Sequence, residues 1–230
     1  MAKKALQQER EDRRRREYRR LFLEAAERVI SRKGLTATTM DDVAREAECS
    51  KATLYQYFPS KNGLMLEILA NFFDEFALGI EEIRRRPGSA RKKIREGIRF
   101  YLDYHQKKEN IGRMLWLDRE FRDKMSSLVA GARGLTSAAD LEFMDALKLK
   151  RQASLDGAAR IIEQGVAAGE FRELDVPSTV TVIESMLQGF CHLHSWQEQT
   201  YSLPEAADFI FEFILRGMEH PGRRSKGEQR

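Results

Sequence analysis

Thr38-Thr39-Met40-Asp41-Asp42-Val43-Ala44-Arg45-Glu46-Ala47-Glu48-Cys49-Ser50-Lys51-Ala52-Thr53-Leu54-Tyr55-Gln56-Tyr57-Phe58 reads as two short helices with a three-residue turn between them. Thr39 with Asp42 three positions on is a capping box: the threonine oxygen accepts from a free backbone N–H and the carboxylate answers back, so a helix starts at Met40. Met40, Val43, Ala44 and Ala47 recur at spacings of three and four and share one face, where small Ala44 permits close approach of another helix. Ser50 caps a second helix over Lys51 to Tyr57, with Leu54 and Phe58 four apart on its inner side. The pattern is a helix-turn-helix. Lys51, Ala52, Thr53, Tyr55, Gln56 and Tyr57 are left for the other faces: a cation, small residues for close approach, and hydroxyl and amide groups that can bond base edges and phosphates.

The run continues through Pro59-Ser60-Lys61-Asn62-Gly63-Leu64. Thr53-Leu54-Tyr55-Gln56-Tyr57-Phe58-Pro59-Ser60-Lys61, after the opening Ser50-Lys51-Ala52, closely resembles the DNA-binding domain of the TetR family of one-component transcriptional regulators, specifically from about Glu17 to Leu64. The resemblance implies that Lys51, Ala52, Thr53 and Tyr55 face bases. It implies that Thr39, Tyr55, Tyr57 and Lys61 meet phosphates, Lys61 from the start of the next helix, where free N–H groups favour an anion. Two residues depart from the family pattern. Glu48 stands where glycine is usual, and a side chain in a left-handed turn costs roughly 1 kcal/mol. Gly63 replaces the usual acidic residue inside the following helix and weakens its start. Neither removes an expected DNA contact.

The chain of 230 residues, 42% hydrophobic and 33% charged, has the length for one small and one medium domain and the composition of a soluble globular protein. No apolar run approaches the length of a membrane span and the N-terminus is charged, so the expectation is a cytoplasmic protein without a membrane partner. Cys49 and Cys191 lack metal-type spacing and are expected to be reduced. Up to Lys61 there are 15 Lys or Arg against 10 Asp or Glu; the remainder has 25 against 26. The positive field belongs to the helix-turn-helix end, as suits a polyanionic partner.

Residues 1–16, with Arg13-Arg14-Arg15-Arg16, lack apolar periodicity and read as a basic arm, disordered or a frayed helical extension, that is either solvated or laid along DNA. The helix-turn-helix domain is placed at 17–62. Its first helix runs from about Glu17 to Lys33, with Leu21, Phe22, Ala25, Val29 and Ile30 as its stripe and Gly34 as its cap. A larger helical effector-binding and dimerisation domain is placed at 63–220, and residues 221–230 read as a disordered basic tail. A helix from Ser60 to about Arg86, ended by Pro87-Gly88, joins the two domains. Ile94, Ile98, Tyr101, Leu102 and His105 form the next stripe; Gly131 and Gly134 bracket a loop, and Ser137 with Asp140 opens a long helix that stops near Gly169. No strand pattern appears, so the fold class is all-α.

Phe100, Tyr101, Tyr104, Met114, Trp116, Phe121, Phe143 and Met144 could line an apolar cavity with a few polar tips. They favour an apolar or aromatic small-molecule effector, which the resemblance places among the middle helices. Two terminal helices follow, Pro177 to about Gln197 and Pro204 to Met218, the latter capped by Ser202 with Glu205. In the last, Phe209, Ile210, Phe213 and Ile214 share a face while Phe211 and Leu215 point elsewhere, so more than one side needs a cover. The expected second cover is another copy of the chain, a homodimer whose interface takes in Ile183, Met186, Leu187, Phe190, Phe209, Phe211, Phe213 and Ile214. A two-fold reader addresses half-sites roughly 34 to 36 Å apart, or a multiple of that.

No phosphate loop, His-Glu-x-x-His or Gly-x-Ser-x-Gly motif is present, so no catalytic residue, cofactor or enzyme activity is expected. His192 and His194 lie about 200° apart around a helix and cannot share a metal. The reading is a homodimeric regulator that binds a palindromic double-stranded DNA operator, as a repressor released by a small molecule. Its rivals are an activator or effector-independent regulator, and a helical ligand- or partner-binding protein with a vestigial helix-turn-helix.

Overall fold

The computed structural model describes residues 2–108, 111, 138–194 and 202–219. Among them are eight helices and no strand, the all-α class expected from the sequence. They are α1 (Ala2–Lys33), α2 (Met40–Glu46), α3 (Lys51–Tyr57), α4 (Lys61–Arg85), α5 (Ala90–Lys107), α6 (Ala138–Ala167), α7 (Val176–His194) and α8 (Leu203–Met218). No helix among the described residues is long and apolar enough to cross a membrane. The expected tail at 221–230, the loop near Gly131 and Gly134, and the cap Ser137 lie outside the described residues.

The chain divides into two compact units, Met1–Phe72 with Asn110–Met144, and Phe73–Glu109 with Asp145–Arg230. The division therefore falls inside α4 rather than after residue 62. The first half of α4 is committed to the N-terminal unit: Leu64, Ile68 and Leu69 are fully buried, and Arg19 of α1 pairs with Glu67.

In the N-terminal unit, α1 buries Phe22, Leu23, Ala25, Ala26, Val29 and Ile30, and Met40, Val43 and Ala44 of α2, Leu54 of α3 and Phe58 just after it are buried with them. Leu21, expected on this stripe, is exposed; the stripe centres on Ala26, which brings Leu23 inward in its place. Residues 2–16 are the first half of α1, in one continuous helix of 32 residues, which is the helical extension of the two forms expected for this arm. Gly34, at φ 78°, ends that helix, as its position suggested.

Both ends of α2 are closed locally. The Thr39–Asp42 capping box is formed in both directions. At the other end Glu48 adopts φ 51°, its N–H bonds the Arg45 carbonyl, and the Cys49 N–H reaches back to the Ala44 carbonyl at 3.0 Å. This is a Schellman closure with glutamate in the left-handed position, the strained turn anticipated from the missing glycine.

The second unit is built on Ile94, Ile98, Tyr101 and Leu102 of α5, Ile161 and Ile162 of α6, Leu187 of α7, and Ile210, Phe211, Ile214 and Leu215 of α8. Ion pairs lie along the edge of the α5–α8 packing: Arg99 with Asp208 at 2.8 Å, Arg95 with Glu212 at 3.4 Å, and Arg91 with Glu219. The Arg95 guanidinium also lies 4.3 Å from the centre of the Phe211 ring. Glu170 caps α5 from 80 residues away by accepting from the backbone N–H groups of Ala90 and Arg91.

Gly165 of α6 is where this packing is tightest. A Cβ there would stand 2.1 Å from the Phe171 ring and 2.8 Å from the Ala90 Cβ, both buried. Gly165→Ala is expected to destabilise the protein by about 1–3 kcal/mol, despite the better helix propensity of alanine. Gly97→Ala on α5, where nothing lies within 4 Å, is expected to be neutral or stabilising. Thermal unfolding of the two variants beside wild type checks the contrast; equal melting temperatures would contradict it.

Candidate nucleic-acid interface

A helix of seven residues is too short to persist alone, so α3 depends on what it packs against. Leu54 and Phe58 are buried, and the Ser50 hydroxyl accepts from the Thr53 N–H at 3.0 Å. Burial on that side leaves Lys51, Ala52, Tyr55 and Gln56 exposed. These four are therefore presented together on the outer surface of α3.

The other expected contacts are placed differently. Thr53 is half-buried, its hydroxyl 2.7 Å from that of Ser50. Tyr57 is half-buried as well. Its ring meets Phe22 edge-on at 5.2 Å and lies 5.9 Å from Tyr18, and its carbonyl accepts from Arg19. The Thr39 hydroxyl is occupied by Asp42. Lys61 turns its ammonium to the carbonyls of Leu35, at 2.9 Å, and Thr36, at 3.4 Å, pinning the segment that follows α1. In this conformation it is a brace within the domain, and a phosphate would have to compete with those carbonyls.

Charge around α2 follows the same logic of positioning. Lys33, then Thr39, holds the Asp42 carboxyl well below the usual carboxylate range, and Arg32 with Arg28 brings Glu46 down to about 2. Both acids stay ionised and tie α2 to α1. Asp41 is an exposed carboxylate that pairs with Lys51 at 2.6 Å, at the edge of the candidate reading surface. Sequence reasoning missed this pair. Its signal was an acid in the first turn of one helix and a base in the first turn of the next, which the turn at Glu48 brings together.

Of the residues proposed to line an effector site, Phe100, Tyr101 and Tyr104 do converge, around Phe76 of α4 and with His105. Phe76 stacks on Phe100 at 5.4 Å, and Tyr101 stacks on His105 at 4.2 Å. The Phe100 ring rests directly on Gly79. Burial pushes His105 down to about 4, so it is neutral at neutral pH, and it pushes the Tyr101 phenol up. The Tyr104 hydroxyl donates to Glu75 at 3.1 Å, giving the rings one polar edge. Met114, Trp116 and Phe121 lie outside the described residues, as do the side chains of Phe143, Met144, His192 and His194.

The expected dimer face is redistributed. Phe211 and Ile214 of α8 and Leu187 of α7 are buried in the chain's own core, where α5 packs on α8. Ile183, Met186 and Phe190 are partly buried against the same core. Phe209 and Phe213 are left 74% and 62% exposed, and Val182 on α7, not anticipated, is 58% exposed.

Comparison with known proteins joins these observations. Residues 22–68 match the family described as "Bacterial regulatory proteins, tetR family". The match takes in α2 and α3 with the adjoining parts of α1 and α4, so it is the helix-turn-helix stretch of this chain that is similar to that family. It is 32% identical over 82 residues to the regulator YuxN of Bacillus subtilis, a match spanning 36% of this chain and 28% of that one. To YhgD of the same organism it is 24% identical over 202 residues, covering 87% of this chain and 96% of the relative. The crystal structure of Bacillus subtilis FadR in complex with stearoyl-CoA shares the fold, with a TM-score of 0.66, 18% identity, and 86% and 98% of the two chains covered.

Within the helix-turn-helix unit Lys61→Met is expected to lower the melting temperature by about 2–4 °C, as loss of roughly 1 kcal/mol of hydrogen bonding would. The salt dependence of DNA binding should not change. A slope shallower by about one, with no change in melting temperature, would instead make Lys61 a phosphate contact.

Proposed function

We propose that the protein binds a two-fold symmetric DNA operator as a homodimer, reads it with the exposed face of α3, and acts as a repressor released by a small apolar or aromatic effector. The observation that carries this is the joint exposure of Lys51, Ala52, Tyr55 and Gln56 on a helix whose opposite side is locked by Leu54 and Phe58. Cation, small residue, hydroxyl and amide on one rigid surface are the groups that bond base edges and adjoining phosphates. The excess of Lys and Arg up to Lys61 adds the sequence-independent attraction that such binding needs.

Dimerisation is supported by Phe209, Phe213 and Val182. Large apolar side chains left in water on the last two helices are what a second copy would cover. The effector reading is supported by the rings of Phe76, Phe100, Tyr101 and Tyr104. Stearoyl-CoA, which the Bacillus subtilis FadR structure holds, is a first compound to try. An effector would act by its differential affinity for two conformers, one of them with recognition helices that no longer match successive grooves. Because residues of α4 belong to both units, that helix is the route by which the difference would be transmitted.

Selection of bound duplexes from a random pool by the purified protein tests the reading. Enrichment of a palindrome is expected, with Lys51→Ala and Tyr55→Ala each weakening it roughly five- to hundredfold, as the loss of 1–3 kcal/mol would. No enriched sequence, with both variants binding as wild type does, would favour a helical ligand-binding protein with a vestigial helix-turn-helix. Reporter transcription from the recovered operator then separates repressor from activator.

A further inference from the structure

We infer that the first half of α1 is a preformed basic clamp for the phosphates flanking the site read by α3, an inference that rests on the DNA-binding role proposed above. Between Ala2 and Arg20 nine Lys or Arg stand against four Asp or Glu. Residues 6–17 are all exposed, so no packing among the described residues accounts for this part of the helix. Gln7 and Gln8 donate to Glu11 and Asp12, which occupies those carboxylates one turn on. Among the described residues none of Arg10, Arg13, Arg14, Arg15 and Arg16 has an ion-pair partner, and all are exposed.

The place of this helix makes DNA the partner. It emerges where Tyr18 and Arg19 touch Tyr57, the last residue of α3, so the basic segment begins beside the reading helix. From Ala2 to Glu17 it runs about 24 Å, enough to pass roughly seven base pairs of flanking duplex. Its form selects the mode of contact. A helix about 10–12 Å across does not enter a minor groove of roughly 6 Å, as an extended arm can. Four successive arginines at 100° intervals surround the helix rather than forming one reading face, so they suit a line of phosphates met from any side. Ala2, Ala5 and Leu6 are the only apolar residues from Ala2 to Glu17, too few for the apolar face that a membrane-surface helix requires.

The test uses the full chain carrying Arg13→Gln, Arg14→Gln, Arg15→Gln and Arg16→Gln. Binding to the enriched duplex and to a scrambled duplex of equal length is measured over a salt series. At most about two of the four can face one phosphate line. The slope of log affinity on log salt should therefore become shallower by about two per protomer on both duplexes, with their affinity ratio unchanged. Melting temperature and helix content should stay as in wild type, because these side chains bury nothing. Trimming the flanks of the enriched duplex should weaken wild type and not the variant. An unchanged slope would overturn the clamp, as would a collapse of the affinity ratio, which would make these arginines base readers. Failure of wild type to bind either duplex would remove the DNA-binding reading itself, and the clamp with it.

Discussion

Everything the N-terminal unit can do depends on the burial of Leu54 and Phe58. Seven residues make fewer than two full turns, and the cost of nucleating so short a helix is not met by its own hydrogen bonds. Burial of two large side chains, worth about 1.5–3 kcal/mol each, holds α3 in place and fixes which way it faces. Ala44 and Val43 supply the inner surface, and the Schellman closure at Glu48 sets the angle at which α3 leaves α2. The outer residues are then presented by subtraction, since whatever is not locked inward is offered to a partner.

The surrounding charges keep that frame rigid. Asp42 and Glu46 are held ionised by Lys33, Arg28 and Arg32, and Lys61 braces the carbonyls before α2. Exposed pairs of this kind are individually weak. Here they share partners across the α1–α2 contact and act as a network that limits how far α2 can shift. In the second unit, Glu170 does comparable work by capping α5 across 80 residues of sequence, while the Phe76 ring cluster and the tight Gly165–Phe171 contact set the spacing of its helices.

What could be read from the sequence was local. Capping boxes at Thr39 and Ser202, the cap at Gly34, the strained turn at Glu48 and the long helix ending near Gly169 are each decided within a few residues, and each is present. Sidedness of a helix apolar all round was not legible. The pattern separates Phe211 from Phe209 and Phe213, but only the docking of α5 decides that Phe211 goes inward while the other two stay in water. The same holds for long-range polar contacts. Lys61 finds carbonyls 25 and 26 residues earlier, and Lys51 finds Asp41 across the turn, partners that no periodicity announces. For residues 2–16 the choice between disorder and a helical extension stayed open for a further reason: with no apolar stripe there was no period to see.

The central claim is that the outer face of α3 is the surface that meets DNA. Amide hydrogen exchange of the full chain, followed with and without a saturating specific duplex, tests it most directly. New protection is expected at the amides of residues 50–57, appearing together with any protection in the first half of α1. Protection of α1 alone, with α3 exchanging as it does in the free protein, would contradict it.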